Sequence, residues 1–83
     1  MDKSIFSRNQ AWLQDLLRQV RKDAGLRQTD LAGRIDQPQS FVSKYESGER
    51  RLDVLELRRV AAALDTSAQT IIGKLETLLS TSK

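Results

Sequence analysis

Apolar residues recur at three- and four-residue steps in successive segments of the chain, which is the period of one face of an α-helix. This pattern predicts five helices and no strands. The helices are expected over about residues 9–24, over about residues 28–35, from Pro38 to Ser47, after Asp53 and after Ser67. Helix content this high with short connections favours a compact all-α bundle of five helices.

The apolar stripes of these helices predict the core. They are Leu13, Leu16, Leu17, Val20 and Ala24 in the first helix, Leu31, Ala32 and Ile35 in the second, Leu57, Val60, Ala61 and Leu64 in the fourth, and Ile71, Ile72, Leu75, Leu78 and Leu79 in the fifth. The fifth stripe is wide for so small a domain. Part of it therefore either packs against a second subunit or closes the core.

Residues at the predicted helix ends fit known capping chemistry. Asp53 is placed to cap the fourth helix, and Glu56 three residues later completes a capping box. Gly25 provides a stop for the first helix. The fixed φ of Pro38 suits a first helical position, where its missing N–H costs nothing.

The length of 83 residues fits one domain. We assign residues 9–79 to this domain and expect residues 1–8 to form a flexible leader and residues 80–83 a flexible tail. The longest apolar run, residues 60–64, is far too short to span a bilayer, and the N-terminus lacks the apolar core of a secretion signal. These features favour a cytoplasmic protein with no membrane partner.

The residue types exclude several classes of function. The chain has no cysteine and no histidine, so disulfides and Cys/His metal sites are excluded. It lacks a glycine-rich phosphate loop and a hydroxyl nucleophile beside a base, so neither an enzyme nor a cofactor is expected. The formal net charge of +3 favours polyanionic partners such as nucleic acid.

The third predicted helix has two different faces. Its polar side is formed by Gln39, Ser40, Ser43 and Lys44, and its apolar side by Phe41, Val42 and Tyr45. A short helix with a hydrogen-bonding outer face and an apolar inner face fits the major groove of DNA. Phe41 lies at the border of the two faces, where it either packs or touches a thymine methyl group.

The polar side chains of this helix suit the reading of base edges. Glutamine offers a donor and an acceptor together, which matches the adenine edge, and Gln39 lies at the helix start. Lys44 can donate to guanine or to a phosphate, while Ser40 and Ser43 are short enough to let the backbone approach. We therefore expect these four residues to contact bases.

Basic residues crowd into the span after this helix. Arg50 and Arg51 suit phosphates, whose contacts fix register and supply affinity without reading sequence. Arg58 and Arg59 either belong to the same basic surface or form a solvated helix face.

The order and spacing of these residues resemble one family. Residues 17–32 (LRQVRKDAGLRQTDLA), 39–52 (QSFVSKYESGERRL) and 57–64 (LRRVAAAL) together resemble the Cro/C1-type (XRE) helix-turn-helix family. The resemblance covers about residues 13–79. It implies a five-helix bundle of the phage-repressor kind, in which the second and third helices bind DNA. It also implies a transcription regulator of bacterial, phage or plasmid origin.

The resemblance further implies roles for residues around the third helix. Arg21 and Glu46 are expected to form a structural pair that ties the first helix to the third. The residues expected at the DNA backbone are Arg27, Gln28, Thr29, Pro38, Ser47, Arg50 and Arg51. Two positions depart from the family pattern. Arg27 stands where a Ser, Thr or Asn cap is usual, and Asp36 stands where the turn usually has glycine because positive φ is needed.

We therefore expect a sequence-specific regulator that binds double-stranded DNA as a homodimer on an inverted repeat, because a two-fold dimer doubles the contact of one small domain. The alternative is the antitoxin of a toxin–antitoxin pair, which binds a toxin protein as well as operator DNA. Only residues 1–8 and 75–83 are candidates for holding a toxin. A protein partner is thus either a toxin or part of the transcription machinery.

Overall fold

The structure is a computed structural model that describes the backbone of residues 4–81 and the side chains of residues 8–81. Residues 4–81 contain five α-helices and no strands, so the predicted all-α architecture is confirmed. In chain order the helices are α1 (Ser4–Asp23), α2 (Gln28–Arg34), α3 (Gln39–Ser47), α4 (Val54–Ala63) and α5 (Ala68–Thr81).

The outer helices extend further than the apolar pattern indicates. α1 begins at Ser4 instead of about Asn9, so residues 4–8 are helical where a flexible leader was expected. α5 ends at Thr81, so the first two residues of the expected tail are helical as well. No proline or glycine precedes Asn9, so nothing in the sequence ends the helix there. Residues 1–3 and 82–83, the remainder of the expected leader and tail, lie outside the described residues.

The helix starts on both sides of the α3–α4 loop follow local capping rules. Pro38 has φ −69° and ψ 157°, so it is the extended N-cap of α3 and the helix begins one residue later than predicted. The predicted capping box of α4 is confirmed. Asp53 Oδ1 accepts the N–H of Glu56 at 2.7 Å, and Glu56 Oε1 accepts the N–H of Asp53 at 2.9 Å.

The two departures from the family pattern are accommodated locally. Arg27, the N-cap of α2, has no side-chain acceptor, but its own N–H donates to Asp30 Oδ2 at 2.8 Å. This contact is one half of a capping box. Asp36, in the turn between α2 and α3, has φ 57°, as expected for a residue that takes the place of glycine there.

The core collects side chains from all five helices around the inner faces of α2 and α3. Its buried members are Leu17, Leu31, Ala32, Ile35, Val42, Tyr45, Leu57, Val60, Ala61, Leu64 and Ile71. Of the predicted α5 stripe only Ile71 is buried, and Ile72 is 43% exposed. α5 therefore contributes buried Ile71 and partly buried Ala68 to the core and leaves part of its apolar face at the surface.

Candidate nucleic-acid interface

α3 separates its side chains into a buried face and an outer face. The buried side chains, each at most 2% exposed, are Val42, Tyr45 and Glu46. The four predicted base-reading residues lie outside this buried set: Gln39, Ser40 and Lys44 are exposed and Ser43 is half-buried. Hydrogen-bonding groups thus face outwards along a helix whose apolar side is covered by the core.

A row of hydrogen-bonded side chains leads from the core to the start of α3. Arg21 of α1 donates from Nε and Nη2 to the two carboxylate oxygens of Glu46, at 2.7 and 3.0 Å. Gln28 of α2 donates from Nε2 to Glu46 Oε1 at 3.0 Å. Gln39 then donates from Nε2 to Gln28 Oε1 at 3.0 Å. We call these four residues the polar chain.

The ion pair at the inner end of the polar chain is buried. Arg21 is 7% exposed and Glu46 is 2% exposed. Burial by itself raises the pKa of Glu46, but the hydrogen bonds from Arg21 and Gln28 outweigh it, so the net pKa is lowered. Arg21 also donates from Nη1 to the carbonyl of Leu26 at 2.8 Å. One guanidinium therefore holds α3 and the α1–α2 turn together.

The outer end of the polar chain fixes the amide of Gln39. One of its N–H groups is used by Gln28. Its carbonyl oxygen and second N–H make no hydrogen bond with residues 8–81. Bidentate recognition of adenine needs one donor and one acceptor, and these are the two groups that Gln39 retains.

A second group of contacts holds the loop between α3 and α4. Arg50 donates from Nη1 and Nη2 to the carboxylate oxygens of Glu56 at 3.0 and 2.6 Å. The guanidinium carbon of Arg50 lies 4.7 Å from the centroid of the Phe41 ring. We call Phe41, Arg50 and Glu56 the loop cluster. Sequence reasoning missed it, because it treated Glu56 only as a capping residue and Arg50 only as a phosphate contact.

Phe41 is in packing contact on both sides. Its ring meets that of Tyr45 edge-on, with centroids 5.7 Å apart and planes at 75°. The Arg50 guanidinium lies over its face. Of the two roles that the sequence left open for Phe41, these contacts support packing.

The residues predicted to contact phosphates occupy the start of α2, the N-cap and last residue of α3, and the following loop. Exposed members are Arg27, Thr29, Pro38, Ser47 and Arg51. The other two members, Gln28 and Arg50, are half-buried and engaged in the polar chain and the loop cluster. The Arg27 guanidinium pairs with Asp30 at 3.2 Å, yet its side chain remains 83% exposed.

The two arginines of α4 behave differently from each other. Arg59 donates from Nη2 to the carbonyl of Ile35 at 2.8 Å and so ties α4 to the end of α2. Arg58 is exposed and makes no ion pair or side-chain hydrogen bond with residues 8–81. Arg59 is therefore partly structural, whereas Arg58 lies on a solvated helix face.

A family model described as helix-turn-helix matches residues 17–71, which contain α2, α3 and α4 entire. The chain belongs to the XRE-type (Cro/C1-type) helix-turn-helix family. Membership assigns to the chain the general function of a DNA-binding regulator of transcription. No curated protein matches the sequence.

Solved structures agree with this assignment. An XRE-family like protein from Pseudomonas syringae pv. tomato is 42% identical and matches with a TM-score of 0.85 over 92% of this chain and 93% of that one. The restriction-modification controller protein C.Esp1396I is 19% identical, with a TM-score of 0.83 over 100% of both chains. The clp gene regulator ClgR from Corynebacterium glutamicum is 22% identical, with a TM-score of 0.77 over 87% of this chain and 77% of that one. The latter two likenesses concern the fold alone.

Two further findings concern the described part of the chain. None of the helices within residues 4–81 is both long enough and apolar enough to cross a bilayer. Within the same range, acidic side chains do not gather into a group suited to holding a metal ion.

Proposed function

We propose that the chain is a sequence-specific regulator of transcription that inserts α3 into the major groove of double-stranded DNA. The base-reading residues in this proposal are Gln39, Ser40, Ser43 and Lys44. The DNA backbone is contacted by Arg27, Gln28, Thr29, Pro38, Ser47 and Arg51. Arg50, which the sequence also places at the DNA backbone, is left out of this set because its guanidinium is paired with Glu56. The observation that supports it most directly is the exposure of polar groups along α3 while its apolar side is sealed against the core.

The polar chain adds a second line of support. Holding Gln39 through Gln28 orients its free donor and acceptor before DNA arrives. An oriented side chain loses less conformational entropy on binding than a mobile one, so more of the free energy of each base contact contributes to affinity. The rigid ion pair of Arg21 and Glu46 makes this orientation a property of the fold.

The proposal is tested by selecting bound sequences from random duplex DNA and then measuring variants on the selected site and on random DNA. We expect enrichment of a defined sequence. Gln39→Ala should mainly lower the ratio of specific to non-specific affinity, whereas Arg51→Ala should weaken binding to both DNAs alike. A chain that enriches no sequence, or a Gln39→Ala variant that loses affinity equally on both DNAs, contradicts the proposal.

We further propose that the chain binds an inverted repeat as a homodimer, with half-sites about 34 Å apart, one turn of DNA. The support is the apolar surface of α5, where Ile72 is 43% exposed and Leu75 and Leu78 are only half-buried. Sedimentation velocity of the free chain and of its complex with the selected DNA tests this. A dimer that Ile72→Glu dissociates is the expected result, and a monomer in both samples excludes it.

A further inference from the structure

We propose that Arg50 is a positioning residue that fixes α3 against α4 and so sets how well α3 discriminates between DNA sequences, in place of the phosphate contact that the sequence predicted. This inference rests on the proposed function, since it concerns the accuracy with which α3 meets base edges. It depends on contacts made by both the backbone and the side chain of Arg50.

The guanidinium of Arg50 is largely committed within the protein. Of its five N–H donors, three make hydrogen bonds: two to the carboxylate of Glu56, at 3.0 and 2.6 Å, and one to the carbonyl of Arg51, at 2.9 Å. Two parallel bonds to one carboxylate fix the plane of the guanidinium as well as its position. A phosphate would have to compete with this bidentate partner.

The backbone of Arg50 is hydrogen-bonded to α3. Its N–H donates to the carbonyl of Lys44, in the last turn of α3, at 3.2 Å. Glu56, which receives the side chain, lies in the first turn of α4 and is itself held by the N–H of Asp53 at 2.9 Å. Arg50 therefore connects the end of α3 to the start of α4 through two separate sets of hydrogen bonds.

The third contact of Arg50 is with Phe41, which borders the reading face of α3, the face formed by Gln39, Ser40, Ser43 and Lys44. Phe41 is half-buried and also lines a cleft of about 370 Å³ together with Ile35 and Val60, so core packing leaves open space beside its ring. The guanidinium over the ring, at 4.7 Å from the centroid, restrains it by a cation–π contact. Because Phe41 is on α3 next to Ser40, restraint of its ring also restrains the helix that carries Gln39, Ser40, Ser43 and Lys44.

Loss of this restraint should affect specific binding more than non-specific binding. Base contacts need donors and acceptors placed within a fraction of an ångström, whereas phosphate contacts tolerate displacement. The hydrogen bonds of the polar chain still connect α3 to α1 and α2. A variant without Arg50 should therefore fold and bind DNA while reading it less accurately.

The test compares Arg50→Gln, Glu56→Gln and the double variant on the selected DNA site and on random DNA over a range of salt concentrations. Glu56→Gln keeps an oxygen for the N–H of Asp53 and removes the ion pair. We expect Arg50→Gln to lose about threefold or more in specific affinity, the value of a cation–π contact, with little change on random DNA. Glu56→Gln leaves the Arg50 guanidinium without its ion-pair partner and should lower specific affinity in the same direction. The double variant should lose no more than Arg50→Gln alone, because without Arg50 the charge of Glu56 has no partner left in the loop cluster.

Arg51→Gln is the matched control, since Arg51 is the adjacent arginine and is exposed. It should weaken binding to both DNAs and flatten the salt dependence by about 0.9 units of slope, as loss of one phosphate contact does. If Arg50→Gln shows this pattern instead, with an equal loss on both DNAs, Arg50 is a phosphate contact and the inference is wrong. If Glu56→Gln strengthens binding by releasing Arg50, the inference is equally wrong.

Measurements on the free protein separate this inference from the proposed function. The chain has two phenylalanines, so ring signals of ¹³C-labelled Phe41 can be assigned by NMR. Arg50→Gln and Glu56→Gln should both shift these signals, and Arg51→Gln should not. Unchanged Phe41 signals in the first two variants overturn the inference whatever the DNA result. Shifted signals in a chain that selects no DNA sequence leave the positioning contact in place and reject the proposed function.

Discussion

The polar chain and the loop cluster use the same chemistry, an arginine paired with a glutamate, at very different depths. The side chains of Arg21 and Glu46 are 9% and 2% exposed, whereas those of Arg50 and Glu56 are 39% and 28% exposed. Breaking a buried pair leaves an uncompensated charge, but an exposed pair contributes at most about 1 kcal/mol. The buried pair should therefore contribute much more to the free energy of unfolding than the exposed pair.

The largest effect is expected at the inner end of the polar chain. Glu46→Gln removes the charge that compensates Arg21 with little change in shape. It should lower the free energy of unfolding by about 3–5 kcal/mol, a large share of the roughly 5–15 kcal/mol available to a domain. Urea denaturation followed by circular dichroism measures this. Glu76→Gln, the same change at an exposed position of α5, should stay within about 0.5 kcal/mol. Similar values for the two variants would remove the distinction between buried and exposed carboxylates.

A smaller loss is expected one step further out. Gln28→Ala removes one donor from Glu46 and the acceptor of Gln39, and should cost about 1 kcal/mol of unfolding free energy. Thr29→Ala changes the neighbouring exposed side chain and is the matched control, with an expected change within about 0.5 kcal/mol. The same denaturation measurement applies. If both variants have the same urea midpoint as the wild type, the hydrogen bonds of Gln28 do not contribute to stability.

The contribution of the loop cluster to stability should depend on pH in the acid range. The hydrogen bond from Arg50 lowers the pKa of Glu56 from 4.5 to about 2. Because the folded-state pKa is depressed, the stabilisation is present above the unfolded pKa and is lost as the pH falls from 4.5 to about 2. The free energy of unfolding of the wild type should exceed that of Glu56→Gln by roughly 0.5–1 kcal/mol at neutral pH. The melting temperatures of the two proteins should converge by about pH 2. A difference that is independent of pH contradicts this origin.

The smallest effect on stability is expected at Tyr45, which lies between the polar chain and the loop cluster. Tyr45 follows Lys44 and precedes Glu46, and its ring contacts Phe41 of the loop cluster. Its buried hydroxyl has no hydrogen-bond partner among residues 8–81, and burial raises the pKa of this phenol. Tyr45→Phe should therefore change the unfolding free energy by no more than about 0.5 kcal/mol, since no bond is lost. A cost well above 1 kcal/mol would reveal a partner for the hydroxyl, such as a buried water.

Periodicity and local capping were readable from the sequence because both depend on neighbouring residues. The five helices and the Asp53–Glu56 capping box follow from spacings of at most four residues, whereas the positive φ of Asp36 was implied only by the family resemblance. The start of α1 did not follow, since the cap-like residue Asn9 lies within a helix that no proline or glycine interrupts.

Side-chain pairings between helices were much harder to predict. The amide of Gln39 predicts a base contact from residue type alone, but the hydrogen bond of Gln39 to Gln28 depends on how α2 and α3 pack. Arg50 and Glu56 are six residues apart and separated by a loop, so no helical periodicity links them. Only the resemblance to a family suggested Arg21 and Glu46, because residues 25 positions apart meet through the packing of α1 on α3.

That separation of 25 positions has a consequence for how the domain folds. While the chain is unfolded, both charges of the pair are hydrated at no cost, and they lose water only when α1 and α3 dock together. A species with one of these helices docked and the other detached would bury a lone charge, so we expect it to be scarcely populated and the domain to unfold in a single cooperative step. An excised peptide spanning only α2 and α3 lacks Arg21 and should not retain the helical pair in isolation.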